Sequence, residues 1–246
     1  MIKKILKKYF GIGIKNLQHR EFWLEKKLSD IKDGSKILDA GAGELQYKKF
    51  CDHLVYVSQD FGQYSGEGDG NGLQMNTWDN SRLDIVSDIT SIPVPDQSFD
   101  TILCVEVLEH IPDPMKAIQE FARIIKPGGV LVLTAPFCSL THFAPFFFYT
   151  GYSKYWYEKI LPENGFTITE IDYNGNFFDY LIQEMKRVFQ MGHIYVKGNF
   201  FSRFILAFFL VVPLSLTLVM LKIYSLLNKK SEEVLCFGIG IVAQKR

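Results

Sequence analysis

Apolar positions along the chain change period several times. Apolar-rich runs with small or acidic residues at or near their ends lie at Ile37–Ala40, Leu54–Asp60, Leu83–Ile89, Ser98–Glu106 and Val130–Ala135. Runs of four to eight residues bounded by turn formers predict strands. Between the fourth and fifth runs, Met115, Ile118, Phe121, Ala122 and Ile125 recur at helical spacing, and Lys126-Pro127-Gly128-Gly129 closes that helix. A further helix is expected over Ser153–Leu161, a sixth strand over Thr167–Tyr173 and a seventh over Val234–Ala243. At the start, Ile2, Ile5, Leu6 and Tyr9 share one helical face while Lys3, Lys4, Lys7 and Lys8 take the other. This basic amphipathic region, 1–29, either packs on a sheet edge or lies on a membrane surface.

The stretch Phe204–Leu221 carries no charge and is bracketed by Arg203 and Lys222. Its length barely matches a bilayer core. Pro213 sits in its middle, and a single crossing would strand the seventh strand on the wrong side. A broken helix or helical hairpin is therefore expected within an insertion over 183–231, serving as an apolar lid or a membrane-associating element.

Chemistry concentrates at strand ends. The first strand delivers Asp39-Ala40-Gly41-Ala42-Gly43, a turn where side chains at the glycines would obstruct a ligand's approach to bare backbone. The second strand ends at Asp60, where a carboxylate can accept both hydroxyls of a ribose.

With D-x-G-x-G at Asp39–Gly43, F-D-x-I-x-x-x-x-x-L-E-H at Phe99–His110 and L-K-P-G-G-x-L at Ile125–Leu131, with Ile in the first place, the chain resembles the class I S-adenosylmethionine-dependent methyltransferases over roughly 30–175. The resemblance implies a Rossmann-like α/β sheet of seven strands, mostly parallel with the last antiparallel. The core would cover 30–182, with 232–246 returning as the last strand. Asp39, Gly41, Ala42 and Gly43 would surround the donor's methionine moiety, Asp60 with Phe61 its ribose, and Asp88 with Ile89 its adenine. Cys104, Val105 and Glu106 would face the donor from the fourth strand's end. Leu45 replaces a glycine found in many members, so the turn into the first helix is expected to pack differently.

Acceptor-side candidates follow the later strands. His142 lies just past the fifth strand and is a candidate general base or a structural hydrogen-bonding group; His110 is a weaker candidate that more often orders the loop beneath the cofactor. Tyr149 and Tyr152 precede a helix and are candidate pocket walls.

Composition narrows the partners. The chain is 246 residues long and 48% hydrophobic, which suits one α/β domain with an accessory segment. Four scattered cysteines, Cys51, Cys104, Cys138 and Cys236, without a Cys-x-x-Cys pair, fit a reducing cytoplasm. Net charge is zero, yet 28–121 carries seventeen acids against six bases, while 183–231 carries seven bases against one acid. An acidic cofactor half argues against nucleic acid, and basic flanks suit the anionic inner face of the cytoplasmic membrane. The glycine-rich 62–72 loop lacks calcium-ligand spacing, and the chain has no zinc-type cysteine and histidine pattern, so no metal is expected. The expected activity is O-methylation of a small or lipid-linked acceptor. The alternative is a catalytically inactive nucleotide-binding protein that serves as a membrane-docked partner.

Overall fold

Parallel strands buried on both faces need near-continuous apolar runs, and those runs become strands here. The computed structural model describes residues 14–197 and 200–246. Strands β1 (Lys36–Ala40), β2 (Val55–Asp60), β3 (Ile85–Val86), β4 (Phe99–Val105), β5 (Ile125–Pro136), β6 (Phe166–Asn174) and β7 (Gly238–Lys245) form one sheet in the order 3-2-1-4-5-7-6. Strands β1 to β5 pair in parallel, and β7 runs antiparallel to β5 from Val130↔Gln244 to Pro136↔Gly238. The expected seven-stranded Rossmann-like sheet is thus present. The chain progresses outward from β1 to β3 and then returns to β4 on β1's other side. This reversal opens a crevice beyond the carboxyl ends of β1 and β4, where open α/β sheets hold ligands.

The chain divides into two compact units. One comprises Glu21–Asp172 and Gly238–Arg246, the other Tyr173–Phe237 with the segment ending at Arg20. In the sheet unit, Trp23, Leu24 and Leu28 of helix α1 (Ile14–Ser29) pack with Ile37, Leu103, Val105 and Val132 of three strands. Helix α2 (Pro114–Ile124) begins with Pro114 at its first turn and Asp113 accepting from the Lys116 amide, and it buries Ala117, Ile118, Phe121 and Ile124. It ends one residue early because Ile125 already pairs with Phe99.

Two local expectations change. The first helix after the glycine turn is reduced to a single 3₁₀ turn, Lys48–Phe50. Leu45 takes a left-handed φ of 63°, which a continuing helix cannot contain. The third strand shrinks to two residues at the sheet's edge.

The second unit contains helices α4 (Phe177–Tyr195) and α5 (Phe200–Leu226), which pack together; α3 (Lys154–Glu163) belongs to the sheet unit. Asn176 caps α4 by accepting from the Phe178 and Asp179 amides. Buried Asp179 accepts from Ser225 Oγ at 2.7 Å and pairs with Lys15 Nζ at 2.6 Å. Of the two arrangements expected, a broken helix or a helical hairpin, the chain takes a pairing of consecutive helices: α4 begins at Phe177, and α5 runs through Pro213, where Thr217 Oγ1 donates to the Pro213 carbonyl at 2.9 Å. Among the described residues no helix is long and apolar enough to cross a membrane. The amphipathic segment expected at Ile2–Tyr9 lies outside the described residues.

Candidate functional site

The glycine turn forms at the end of β1. Gly41 and Gly43 have φ of 79° and 50°, and the amides of Gly41 and Ala42 donate to the Gln59 carbonyl at 2.8 and 2.9 Å. A Cβ on Gly41 would lie 2.4 Å from Val107, and one on Gly43 would lie 2.5 Å from the Trp78 ring. Both positions therefore require glycine on two counts, backbone conformation and space.

Carboxylates surround the turn. Asp60, buried at the end of β2, accepts from the Gly43 amide at 3.0 Å and the Gly62 amide at 2.9 Å, which fixes it against the turn. Asp39 is buried and accepts from Tyr56 Oη at 2.5 Å. Burial pushes its carboxyl up to about 7, opposed by the Tyr56 hydroxyl and reinforced by neighbouring Asp60. Asp88 is exposed and accepts the Thr90 amide and hydroxyl, each at 2.8 Å, while its neighbour Ile89 is buried. Asp88 thus also closes a local turn.

Cys104 and Val105 are buried in β4, and burial raises the Cys104 thiol well above its usual range. Glu106 follows with φ 55°, an unusual conformation for a non-glycine residue, and accepts from Thr134 Oγ1 at 2.9 Å.

Two loops pair above these strand ends. The Asp69 amide donates to the Ala144 carbonyl, Leu73 to Thr141, and Phe143 back to Leu73, forming a parallel bridge between Leu73 and His142. A Cβ on Gly68 would stand 2.0 Å from the Ala144 oxygen. The 62–72 glycines therefore press one loop's backbone against another. An aromatic cluster fills the space between: Trp78 contacts Tyr64 and Phe143 edge-on, Phe143 stacks on His110 at 5.1 Å, and Phe61 meets Phe146 at 4.9 Å. The glycine turn is thereby linked through Trp78 and Phe143 to the histidines.

His110 and His142 lie edge to face with ring centroids 4.7 Å apart. Burial lowers both; His110 falls to about 4, with His142 beside it adding to the shift and the Phe146 carbonyl opposing it. For His142, the Leu140 carbonyl and Glu106 oppose the lowering. The Nε2 atoms of His110 and His142 stand 3.7 and 3.9 Å from Oε1 of buried Glu109.

The tyrosine expectations divide. Tyr149 is half exposed and donates to the Pro112 carbonyl at 3.1 Å. Tyr152 is buried and donates to the Leu108 carbonyl at 2.8 Å, so it supports the site from beneath instead of forming an open wall. Sequence reasoning missed Trp78, Val107, Phe143 and Glu109. Their only signal was the flanking position of the L-E-H segment and the aromatic content of two loops without periodicity.

A family model described as a methyltransferase domain matches residues 63–133. The ubiquinone biosynthesis O-methyltransferase of Paracidovorax citrulli is 59% identical over 32 residues, 13% of each chain. That of Xanthomonas oryzae pv. oryzae is 40% identical over 63 residues, 26% of each. The chain thus matches about a quarter or less of the length of these curated relatives. A solved S-adenosylmethionine-dependent methyltransferase from Archaeoglobus fulgidus superposes with a TM-score of 0.56 at 14% identity, covering 99% of both chains, a likeness of fold. The match over residues 63–133 is thus to a methyltransferase domain, and the seven-stranded sheet has the fold of a solved S-adenosylmethionine-dependent methyltransferase.

Proposed function

We propose that the protein transfers a methyl group from S-adenosylmethionine to a hydroxyl of a small or lipid-linked acceptor. The observation that carries this reading is the continuity of the site: the Cβ-free turn at Gly41–Gly43 beside Asp60 at one end, and the paired imidazoles at the other. The residues fit the donor. Positive-φ glycines leave bare backbone for the methionine portion, and Asp60 retains acceptor capacity beyond its two backbone amides for ribose hydroxyls. The adenine is assigned to Asp88 and Ile89, which follow the third strand.

When bound, the donor supplies a methyl group already activated on a sulfonium. The chain's own contribution is alignment and exclusion of water. The aromatic roof of Tyr64, Trp78 and Phe143 closes the crevice, and the Nε2 atoms of His110 and His142 act on the acceptor's hydroxyl proton. O-methylation is favoured by the names of the partial relatives and by these neutral imidazoles.

Calorimetry with S-adenosylhomocysteine tests the reading. Micromolar or tighter binding is expected, with a loss of roughly ten- to a hundredfold in Asp60→Ala, about what a charge-assisted pair of hydrogen bonds provides. His142→Ala should leave that affinity intact and depress turnover by about two orders of magnitude or more. Absence of heat with S-adenosylhomocysteine would overturn the assignment.

The acceptor's lipid link rests on α5. Its exposed Phe209, Val212, Leu216, Val219, Ile223 and Leu226 are spaced alternately three and four residues apart and form one apolar stripe. Lys222, Lys229 and Lys230 are also exposed. Such a stripe with lysines suits an anionic membrane surface on which the helix lies without crossing.

A further inference from the structure

A neutral imidazole has one N–H and one lone pair, and the group bonded to one nitrogen decides which is which. His110 Nδ1 lies 2.5 Å from the Phe146 carbonyl oxygen, and His142 Nδ1 lies 2.8 Å from the Leu140 carbonyl oxygen. Carbonyl oxygens only accept, so both Nδ1 atoms carry the hydrogen. Each neutral ring then presents a lone pair at Nε2. Both lone pairs converge on Glu109 Oε1, at 3.7 and 3.9 Å, beyond hydrogen-bonding distance. Nε2 of His110 is buried without a hydrogen-bond partner.

Both imidazoles thus turn a lone pair toward the Glu109 carboxyl. One atom from each of the three side chains lies within 4.8 Å of the others. Fixing Nδ1–H on a backbone carbonyl is also how proteins orient a metal-ligating imidazole and raise its basicity.

We propose that Glu109, His110 and His142 bind a first-row divalent cation of the zinc type. Two imidazole nitrogens and one carboxylate suit such ions, whereas magnesium and calcium prefer all-oxygen sites. Ligand bonds of about 2.0–2.2 Å call for donor atoms roughly 3.2–3.5 Å apart, so the Glu109 carboxyl and the two rings, whose donor atoms lie within 4.8 Å of one another, draw together on binding. Phe143 stacked on His110 and Phe147 at 5.0 Å from His142 wall it with apolar surface, which strengthens binding of charge by an anionic ligand. Three protein ligands leave coordination positions open, and these lie at the carboxyl ends of β4 and β5, where the acceptor hydroxyl is proposed to sit. With the cation bound, both Nε2 lone pairs are ligands and no longer take the proton: the cation would lower the pKa of the acceptor hydroxyl, whose proton would leave to solvent water. The geometry of the cluster supports the site independently of the acceptor's identity.

The test uses the whole 246-residue chain without donor or acceptor. After chelator treatment and dialysis, Zn²⁺ is titrated and bound metal is measured by mass spectrometry. Co²⁺ serves as a spectroscopic probe of low coordination number. About one equivalent is expected, with a rise in thermal midpoint on Zn²⁺ addition. His110→Ala, His142→Ala and Glu109→Gln should each weaken binding about a hundredfold and abolish the rise, while His193→Ala, whose exposed imidazole lies outside the cluster, should change neither. Circular dichroism establishes that the variants fold, and His142→Gln, closer to histidine in size, repeats the comparison if His142→Ala does not. Failure of the intact protein to bind Zn²⁺ or Co²⁺, or full stoichiometry retained in His142→Gln, overturns the proposal. Because S-adenosylhomocysteine binding is measured separately, loss of the metal and loss of the donor assignment are distinguishable outcomes.

Discussion

Asp39, at the entry to the glycine turn, sits in an unfavourable environment. Its folded-state carboxyl sits at about 7, above the ordinary 3.8, chiefly because it is buried. The native state therefore holds its proton more tightly than the unfolded chain does. Stability from this group is fully present below about pH 4 and is lost as pH rises to about 7, a change of up to about 4 kcal/mol. Asp39→Asn keeps an oxygen for the Tyr56 hydroxyl and removes the charge. The variant's thermal midpoint should exceed that of the parent by more at pH 8 than at pH 5 in paired calorimetric scans. An equal difference at both pH values would mean that Asp39 is ionised in the native state throughout.

The elements show which parts of the fold were legible in the sequence. Strand ends and the glycine turn were readable because their signals are local: an apolar run, a terminal acid, and glycines where φ is positive. The helix after the turn was not, since its loss depends on the single left-handed Leu45. The histidine cluster was hidden because His142 reaches Glu109 only through pairing of two loops that lack periodicity. The glycine-rich loop looked polar and unstructured, yet Gly68 packs against the Ala144 carbonyl where no Cβ fits. Gly68→Ala should therefore part the loops at a local cost of about 1 kcal/mol or more. Hydrogen exchange should quicken at the Leu73 and Phe143 amides while core amides of β4 stay protected. Unchanged exchange at both loop amides would contradict tight loop pairing.

At the scale of the whole molecule, the asymmetry of charge and the uncharged stretch Phe204–Leu221 were visible in sequence, whereas the apolar stripe emerges only because α5 continues through Pro213. Six exposed apolar side chains on one helical face, each contributing roughly 1.5 kcal/mol or more on full burial, would supply several kcal/mol even when half inserted in lipid. The intact protein should pellet with vesicles rich in anionic lipid, less so with zwitterionic vesicles or in high salt. Leu216→Glu with Val219→Glu should return it to the supernatant with donor binding intact. A parent protein that stays in solution as a dimer would instead assign the stripe to a second copy.

In the function proposed above, the bridge between Leu73 and His142 ties the roof over the glycine turn to the loop that would carry the acceptor-side imidazole. A displacement large enough to admit one reactant therefore loosens the walls around the other. Arrival and departure of the two reactants become kinetically linked, with the first to bind preparing the compartment for the second and both products held until the same pair of strands separates. Turnover in such an arrangement is paced by the parting of loops, and the time a product stays bound becomes a property of backbone hydrogen bonds far more than of the methyl group that moved.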